Sequence, residues 1–227
     1  MPHNHDATPK YQPDSAVSMS FVIPYYRSLL SVYGELCNLN QRISMLHPDV
    51  LTILYHLARQ AEYVLELGPY VGGSTIAMAW GLRDAKSAGR IVSVERGGAY
   101  DHPTMGTDDI LRDLRRNLEK YDVSRFVHLI EGNSRDPMVV GKVYENAPAE
   151  GFGLMFIDTD GEVYDDFELY RQKLKPCAYL VLDDYFGPSA PNKVGPTRAG
   201  IQKLTDAGLV ECMGIYGWGT WVGRLTR

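Results

Sequence analysis

Cysteine is scarce in this sequence: three residues in 227, Cys37, Cys177 and Cys212, odd in number and never paired as C-x-x-C. Such usage excludes a disulfide framework or a thiolate zinc cage and fits reduced thiols, so a cytoplasmic location is expected. No apolar run approaches the roughly 20 residues of a membrane span, and no membrane partner is expected. The opening MPHNHDATPKYQPDS lacks the apolar centre of a secretory signal. It reads as a polar tail, with His3 and His5 as tail residues rather than metal ligands. Positive charge is also short. With 23 Lys and Arg against 28 Asp and Glu the net charge is −5, and no cationic run stands out, so nucleic acid is not an expected partner. The 44% hydrophobic and 22% charged residues are ordinary for a water-soluble domain, over a length that suits one full core plus at most a helical appendage.

Periodicity divides the chain into a flexible polar tail at 1–18, an N-terminal helical addition or lid at 19–62, and an alternating domain at 63–227. Phe21 to Asn38 is apolar and aromatic, with Leu29, Leu30, Tyr33 and Leu36 at helical spacing. A second helix is predicted in HPDVLTILYHLARQA, with His47 in the cap region, Pro48 and Asp49 in the first turn, and Val50, Ile53, Leu54 and Leu57 as one stripe. Strand-like and helix-like segments then alternate: YVLELG and STIAMAWGLRDA, RIVSVE and TDDILRDLRRNLEKYD, RFVHLIEGN and DPMVVGKVYENA, FGLMFID and EVYDDFELYRQKL. AYLVLDDY leads through a loop, GPSAPNKVGPT, to a helix predicted to open near Pro196. LVECMGIYG and TWVGRLTR, around a Trp-Gly turn, read as a closing β-hairpin. The pattern predicts an α/β fold: a doubly wound, mostly parallel seven-stranded sheet ending in an antiparallel hairpin, preceded by N-terminal helices. Ligands in such sheets bind outside the carboxyl ends of the strands.

The first strand ends in ELGPYVGGST, where glycines let the backbone turn sharply and a helix aims free N–H groups at the same point. The turn reads G-x-x-x-G-G and lacks the second glycine of the dinucleotide fingerprint. Glu95 closes the second strand, where a carboxylate can accept both hydroxyls of a ribose; a surface glutamate is the plainer alternative. Two later strands finish in acids, Asp158 and Asp160 in FIDTDG and Asp183 and Asp184 in LDDY. Converging carboxylates raise each other's pKa unless a cation lies among them, and oxygens without Cys or His suit a hard ion such as Mg²⁺. Solvated acids that cap helices are the alternative. Asp158 and Asp160 have the period-two spacing that can turn both to one side. His128, inside an apolar strand, reads as a core histidine. Trp218 and Trp221 suit packing, an acceptor pocket or a subunit contact, and Tyr25 and Tyr26 a lid.

ELGPYVGGS followed by Glu95 resembles the class I S-adenosylmethionine-dependent methyltransferases, in the E-x-G-x-Y-x-G-x-S form of the catechol-type O-methyltransferases. FIDTDGEVYDDFELYRQKLKPCAYLVLDDY is closer to the macrocin-type sugar O-methyltransferases of antibiotic biosynthesis, with an Asp-x-Asp, a following tyrosine, an L-x-P turn and a terminal Asp-Asp-Tyr. The likeness runs from about Tyr63 to Gly208. It implies a Rossmann-like methyltransferase fold in which Gly68, Tyr70, Gly72 and Ser74 shape the pocket for the methionine portion of S-adenosylmethionine, with Glu66 near its amino group. Glu95 would hold the ribose, and Asn133, Ser134 and Arg135 would flank the adenine. Asp158, Asp183 and Asp184 would ligate Mg²⁺ or another hard divalent cation, Asp158 also bordering the donor, and Asp160 would be the general base. The catechol-type enzymes use a nearby lysine, which this segment lacks. Cys177-Ala178 replaces the usual Gly-Gly, Asp165-Asp166 stands where the sugar enzymes prefer Glu-Ser, and the N-terminal helices match no substrate lid.

The implied reaction is in-line transfer of the sulfonium methyl to a hydroxyl of a small molecule, with a vicinal diol on a natural-product sugar or phenolic as the expected acceptor. Relatives often form homo-oligomers, by analogy only. An NAD-dependent oxidoreductase or epimerase is the rival, and it calls for a tight G-x-G-x-x-G and a Tyr-x-x-x-Lys relay, neither of which is present. A hydroxylase-like or non-catalytic member of the same fold is the other alternative.

Overall fold

The computed structural model describes residues 32–187 and 191–226. Helix α1 spans Tyr33–Arg42 and α2 spans Pro48–Ala61. Proline fits the first turn of α2, where an N–H has no helical partner, and the His47 ring nitrogen accepts the Asp49 N–H at 3.1 Å. The helix predicted from Phe21 is met from Tyr33 onward and continues to Arg42. Its earlier part, with Tyr25, Tyr26, Leu29 and Leu30, lies outside the described residues, as do His3 and His5.

Five strand–helix pairs follow in the predicted order. The strands are β1 Val64–Leu67, β2 Ile91–Glu95, β3 Val127–Glu131, β4 Phe152–Ile157 and β5 Leu174–Leu182. Their helices are α3 Gly73–Asp84, α4 Ile110–Lys120, α5 Pro137–Asn146, α6 Val163–Tyr170 and α7 Pro191–Asp206. Strands β6 Val210–Tyr216 and β7 Thr220–Leu225 form the hairpin. The sheet order is β3-β2-β1-β4-β5-β7-β6, with β7 alone running antiparallel, between β5 and β6. The chain winds outward from β1 to β3 and then crosses back to β4, so the switch in direction opens a crevice at the carboxyl ends of β1 and β4.

Alternation along the central strands supplies two cores. Val64, Leu154 and Phe156 face α1 to α4, while Leu65, Leu67, Met155 and Ile157 face α5 to α7. Leu36 and Leu39 of α1 and Val50, Ile53, Leu54 and Leu57 of α2 share the first core with Ile76 of α3, so both early helices belong to that layer. Trp221 is buried in the second core and is a packing residue. His128 is not a core histidine: β3 is the edge of the sheet, and the ring is half-buried there.

Helix α7 opens at Pro191 rather than near Pro196. Proline again fits the first turn, and the carbonyl that Pro196 leaves without a helical partner belongs to the exposed Asn192. The shift brings Lys193 out of the predicted loop and into the first turn of a helix. Cys177 has φ +58°, a left-handed conformation at a position where the resemblance expects glycine. All three thiols are free, and no described helix is long and apolar enough to cross a membrane.

Candidate active site

The crevice has two walls. On one, the chain leaving β1 turns at Gly68 with φ +83°, and a Cβ there would stand 2.1 Å from the Asp158 carbonyl oxygen. Only a residue without a side chain lets the two loops meet. Gly72 is the N-cap of α3 and offers no side chain to the first N–H groups, which leaves them open for an anion. Asn117 of α4 braces the turn by donating to the Val71 carbonyl at 2.9 Å.

Glu95 accepts the backbone N–H of Tyr70 at 3.1 Å and of Gly97 at 2.8 Å, joining the loops after β1 and β2. Burial raises its carboxyl pKa against the pull of these donors and Arg96. The Tyr70 ring meets Tyr100 edge-on, and its hydroxyl donates to the Met105 carbonyl. Tyr100 and Thr107 pair as an antiparallel bridge, so the segment after β2 folds over Tyr70 as a small flap. Ser74 lies in the first turn of α3 and donates to Glu66 at 2.6 Å. Glu66 is fully buried, and its other oxygen accepts from Thr75 and Ser93, each at 2.7 Å. Burial pushes its pKa up while the three hydroxyls oppose. Glu66 ties β1, β2 and α3 together and shapes the pocket through Ser74, without reaching the crevice itself.

The other wall carries the acids. Asp158 follows β4 and Asp183 and Asp184 follow β5, with one oxygen of each within 4.8 Å of the other two. Thr220 of β7 donates to Asp183, and Asp184 is held at φ +59°, a strained conformation of the kind found at functional sites. Burial, aided by the neighbouring Asp183, pushes the Asp158 carboxyl up to about 8, and burial also raises Asp183. The counter-charge is Lys193, whose Nζ lies 3.0 Å from Asp184 Oδ2 and 3.5 Å from Asp158 Oδ1. Burial would lower its pKa, but the two carboxylates hold it above the usual lysine range.

Asp160 does not join this cluster. Strand β4 ends at Ile157, so the period-two spacing no longer governs where Asp160 points. Its carboxylate is 51% exposed and receives both terminal nitrogens of Arg135, one at 3.0 Å. Burial acts to raise its pKa, but Arg135 and the Glu162 N–H outweigh it and hold the group below the usual carboxylate range. Asn133 accepts the Arg135 backbone N–H. The buried Ser134 donates to Asp166 at 2.7 Å, and Thr159 donates to the other oxygen of Asp166 at 2.8 Å. Asp166 thus links the loop after β3 to the residue beside Asp158.

The structure therefore brings the glycine turn, Glu95 and the Asp158–Asp183–Asp184 group to one crevice. It leaves Glu66 buried behind it and Asp160 at its rim. Sequence reasoning missed Lys193, whose signal was Pro191 as a helix-opening residue, and Asp166, noticed only as a departure from the sugar enzymes. Phe186 was missed as well, and Trp218 stood open between packing, an acceptor pocket and a subunit contact. They are 47% and 59% exposed and lie on loops joined at the backbone: the Phe186 N–H donates to the Gly219 carbonyl, while the Trp218 ring meets His47 edge-on.

A family described as "Methyltransferase domain" matches residues 65–185, more than half of the chain, including the glycine turn, Glu95 and the three acids. Among curated proteins no sequence matches. Solved structures do share the fold. An O-methyltransferase from Bacillus cereus in complex with SAH has a TM-score of 0.62 at 20% identity, covering 91% of this chain and 97% of that one. The O-methyltransferase TomG from Streptomyces achromogenes, in complex with SAM, has a TM-score of 0.61 at 19% identity, covering 90% and 95%. SAH-bound methyltransferase PaMTH1 from Podospora anserina has a TM-score of 0.62 at 19% identity, covering 96% and 99%. Because the family match covers more than half of the chain, this protein belongs to the methyltransferase-domain family.

Proposed function

We propose that the protein transfers the methyl group of S-adenosylmethionine to a hydroxyl of a small molecule, with a divalent cation held by Asp158, Asp183 and Asp184. The observation that carries this reading is the meeting of the two walls at Gly68 and Asp158: the donor turn and the first acid share one backbone contact. The SAH and SAM bound by the Bacillus cereus and Streptomyces achromogenes proteins support the choice of donor. The oxygen-only donor set, with one oxygen of each acid within 4.8 Å of the other two, suits a hard ion such as Mg²⁺. When bound, such a cation supplies Lewis acidity that lowers the pKa of an acceptor hydroxyl and fixes its direction.

The chain's own residues do the rest. Glu95 keeps lone pairs for the ribose hydroxyls, and the open first turn of α3 receives the carboxylate of the donor. Asn133 to Arg135 border the adenine. Asp160, ionised under the influence of Arg135, accepts the acceptor's proton, help that is typically worth about 10²–10⁴-fold. Holding both substrates in line supplies much of the remaining acceleration. The exposed Phe186, two residues beyond Asp184, offers an apolar face suited to a planar phenolic or the face of a sugar, which fits a natural-product diol as acceptor.

Calorimetric titration with S-adenosylhomocysteine and with NAD, followed by transfer assays on catechol and on a vicinal-diol sugar with and without Mg²⁺, tests the reading. Binding of S-adenosylhomocysteine but not NAD, with magnesium-stimulated transfer to at least one diol, is the expected result. NAD binding in its place sinks the proposal, and transfer indifferent to chelation removes the cation from it.

A further inference from the structure

We infer that Lys193 is a tethered counter-cation of the acidic cluster, which a divalent ion must displace in order to bind. The inference rests on the proposed metal role of Asp158, Asp183 and Asp184. Its basis is placement: the ammonium lies between one oxygen of Asp158 and one of Asp184, on the ground that an ion bound to both would take.

Lys193 is seated there by its backbone. Gly161 has φ +95°, and a Cβ on it would lie 2.8 Å from the Lys193 carbonyl oxygen and 3.1 Å from its Cα. The loop that carries Asp158 is therefore packed directly on the first turn of α7. The neighbouring cations are engaged elsewhere: Arg135 pairs with Asp160, and Arg198 lies over Tyr185 and Phe186. Among the described residues Lys193 is the one cation paired with this cluster.

Charge then sets the competition. Acidic groups crowded beside one ammonium hold Lys193 between them, and the same oxygens attract a doubly charged ion. The two cations cannot share the position, because at a few ångströms they repel each other and the coordinating oxygens have turned toward the metal. With its backbone packed on Gly161, Lys193 yields by swinging its flexible four-carbon stem. The protein thus carries its own occupant for the site. Its affinity for a divalent ion is the intrinsic affinity of three acids reduced by the cost of evicting a lysine.

Electron paramagnetic resonance of free Mn²⁺ reads this in the wild type and in the Lys193→Met and Lys193→Arg variants. Removing the competing charge is expected to tighten Mn²⁺ binding on the order of tenfold or more in Lys193→Met, while Lys193→Arg stays close to the wild type. A second measurement needs no substitution. Amine acylation of the wild type, read by mass spectrometry, is expected to label Lys193 several-fold faster at saturating Mg²⁺, with the other lysines unchanged. Equal Mn²⁺ affinity in a folded Lys193→Met protein, or labelling of Lys193 that Mg²⁺ does not raise, overturns the inference and leaves the metal role standing. Absence of Mn²⁺ binding in all three proteins overturns both.

Discussion

The two walls of the crevice are held by different forces. Around the glycine turn, anchoring bonds end on backbone groups or neutral side chains: Glu95 on two backbone N–H groups, Asn117 on a carbonyl, Glu66 on three hydroxyls. Around the acids, apart from the hydroxyl that Thr220 gives Asp183, charge is held by charge, with Lys193 on Asp158 and Asp184 and Arg135 on Asp160. Short, buried partners lose little freedom on ordering and stay where they are put. Long basic side chains are costly to order and can let go. A donor of constant shape suits the first kind of wall, and an exchangeable cation with a variable acceptor suits the second.

The strongest way to break this contrast is to remove one acid. Asp158→Asn is expected to lower kcat/KM for methyl transfer by roughly 10³-fold, the several kcal/mol that a metal Lewis acid contributes, while affinity for S-adenosylhomocysteine changes little. Calorimetry beside the transfer assay checks it; a parallel collapse of donor affinity would mean that the walls do not act separately. The matching change on the donor wall should appear as stability. Glu66→Ala leaves three buried hydroxyls without their acceptor and is expected to cost about 3 kcal/mol of unfolding free energy, read from urea denaturation. Gly68→Ala tests the joint. The added Cβ meets the Asp158 carbonyl, so both donor affinity and transfer should fall about tenfold or more, in keeping with the 1–3 kcal/mol of a forced backbone. Loss of only one of the two would show that the walls are in contact without being coupled.

Sequence patterns reveal the first wall better than the second, for a physical reason. ELGPYVGGST and Glu95 act through backbone geometry and position at a strand end, and both are written locally in glycine spacing and apolar runs. The seven strands and the hairpin were legible for the same reason, since continuous apolar stretches must be covered on both faces. Pairing between charges far apart in the chain has no local signature. Lys193 was hidden because Pro196 looked like a helix start, whereas Pro191 fills that role. Arg135 was assigned to the adenine with nothing to indicate that its guanidinium forks onto Asp160. The period-two argument for Asp158 and Asp160 failed because β4 stops one residue before the pair begins.

The smallest expected effect separates a working ion pair from a decorative one. Arg135→Met removes the partner that, against burial, keeps the Asp160 carboxyl below its ordinary value of 3.8. Because the folded pKa is depressed, the pair contributes stability above the unfolded pKa and loses it as pH falls through the folded one. The variant should therefore be slightly less stable than the wild type at neutral pH, by the 0–1 kcal/mol usual for exposed pairs, and the difference should fade in acid. If Asp160 accepts the proton, transfer requires its ionised form, so activity falls as pH drops through its pKa. With only backbone N–H groups left to oppose burial in Arg135→Met, the acidic limb of the kcat/KM profile should move to higher pH. A limb that stays in place, with the stability difference present, assigns the Arg135–Asp160 pair to holding two loops together and hands proton acceptance to another group.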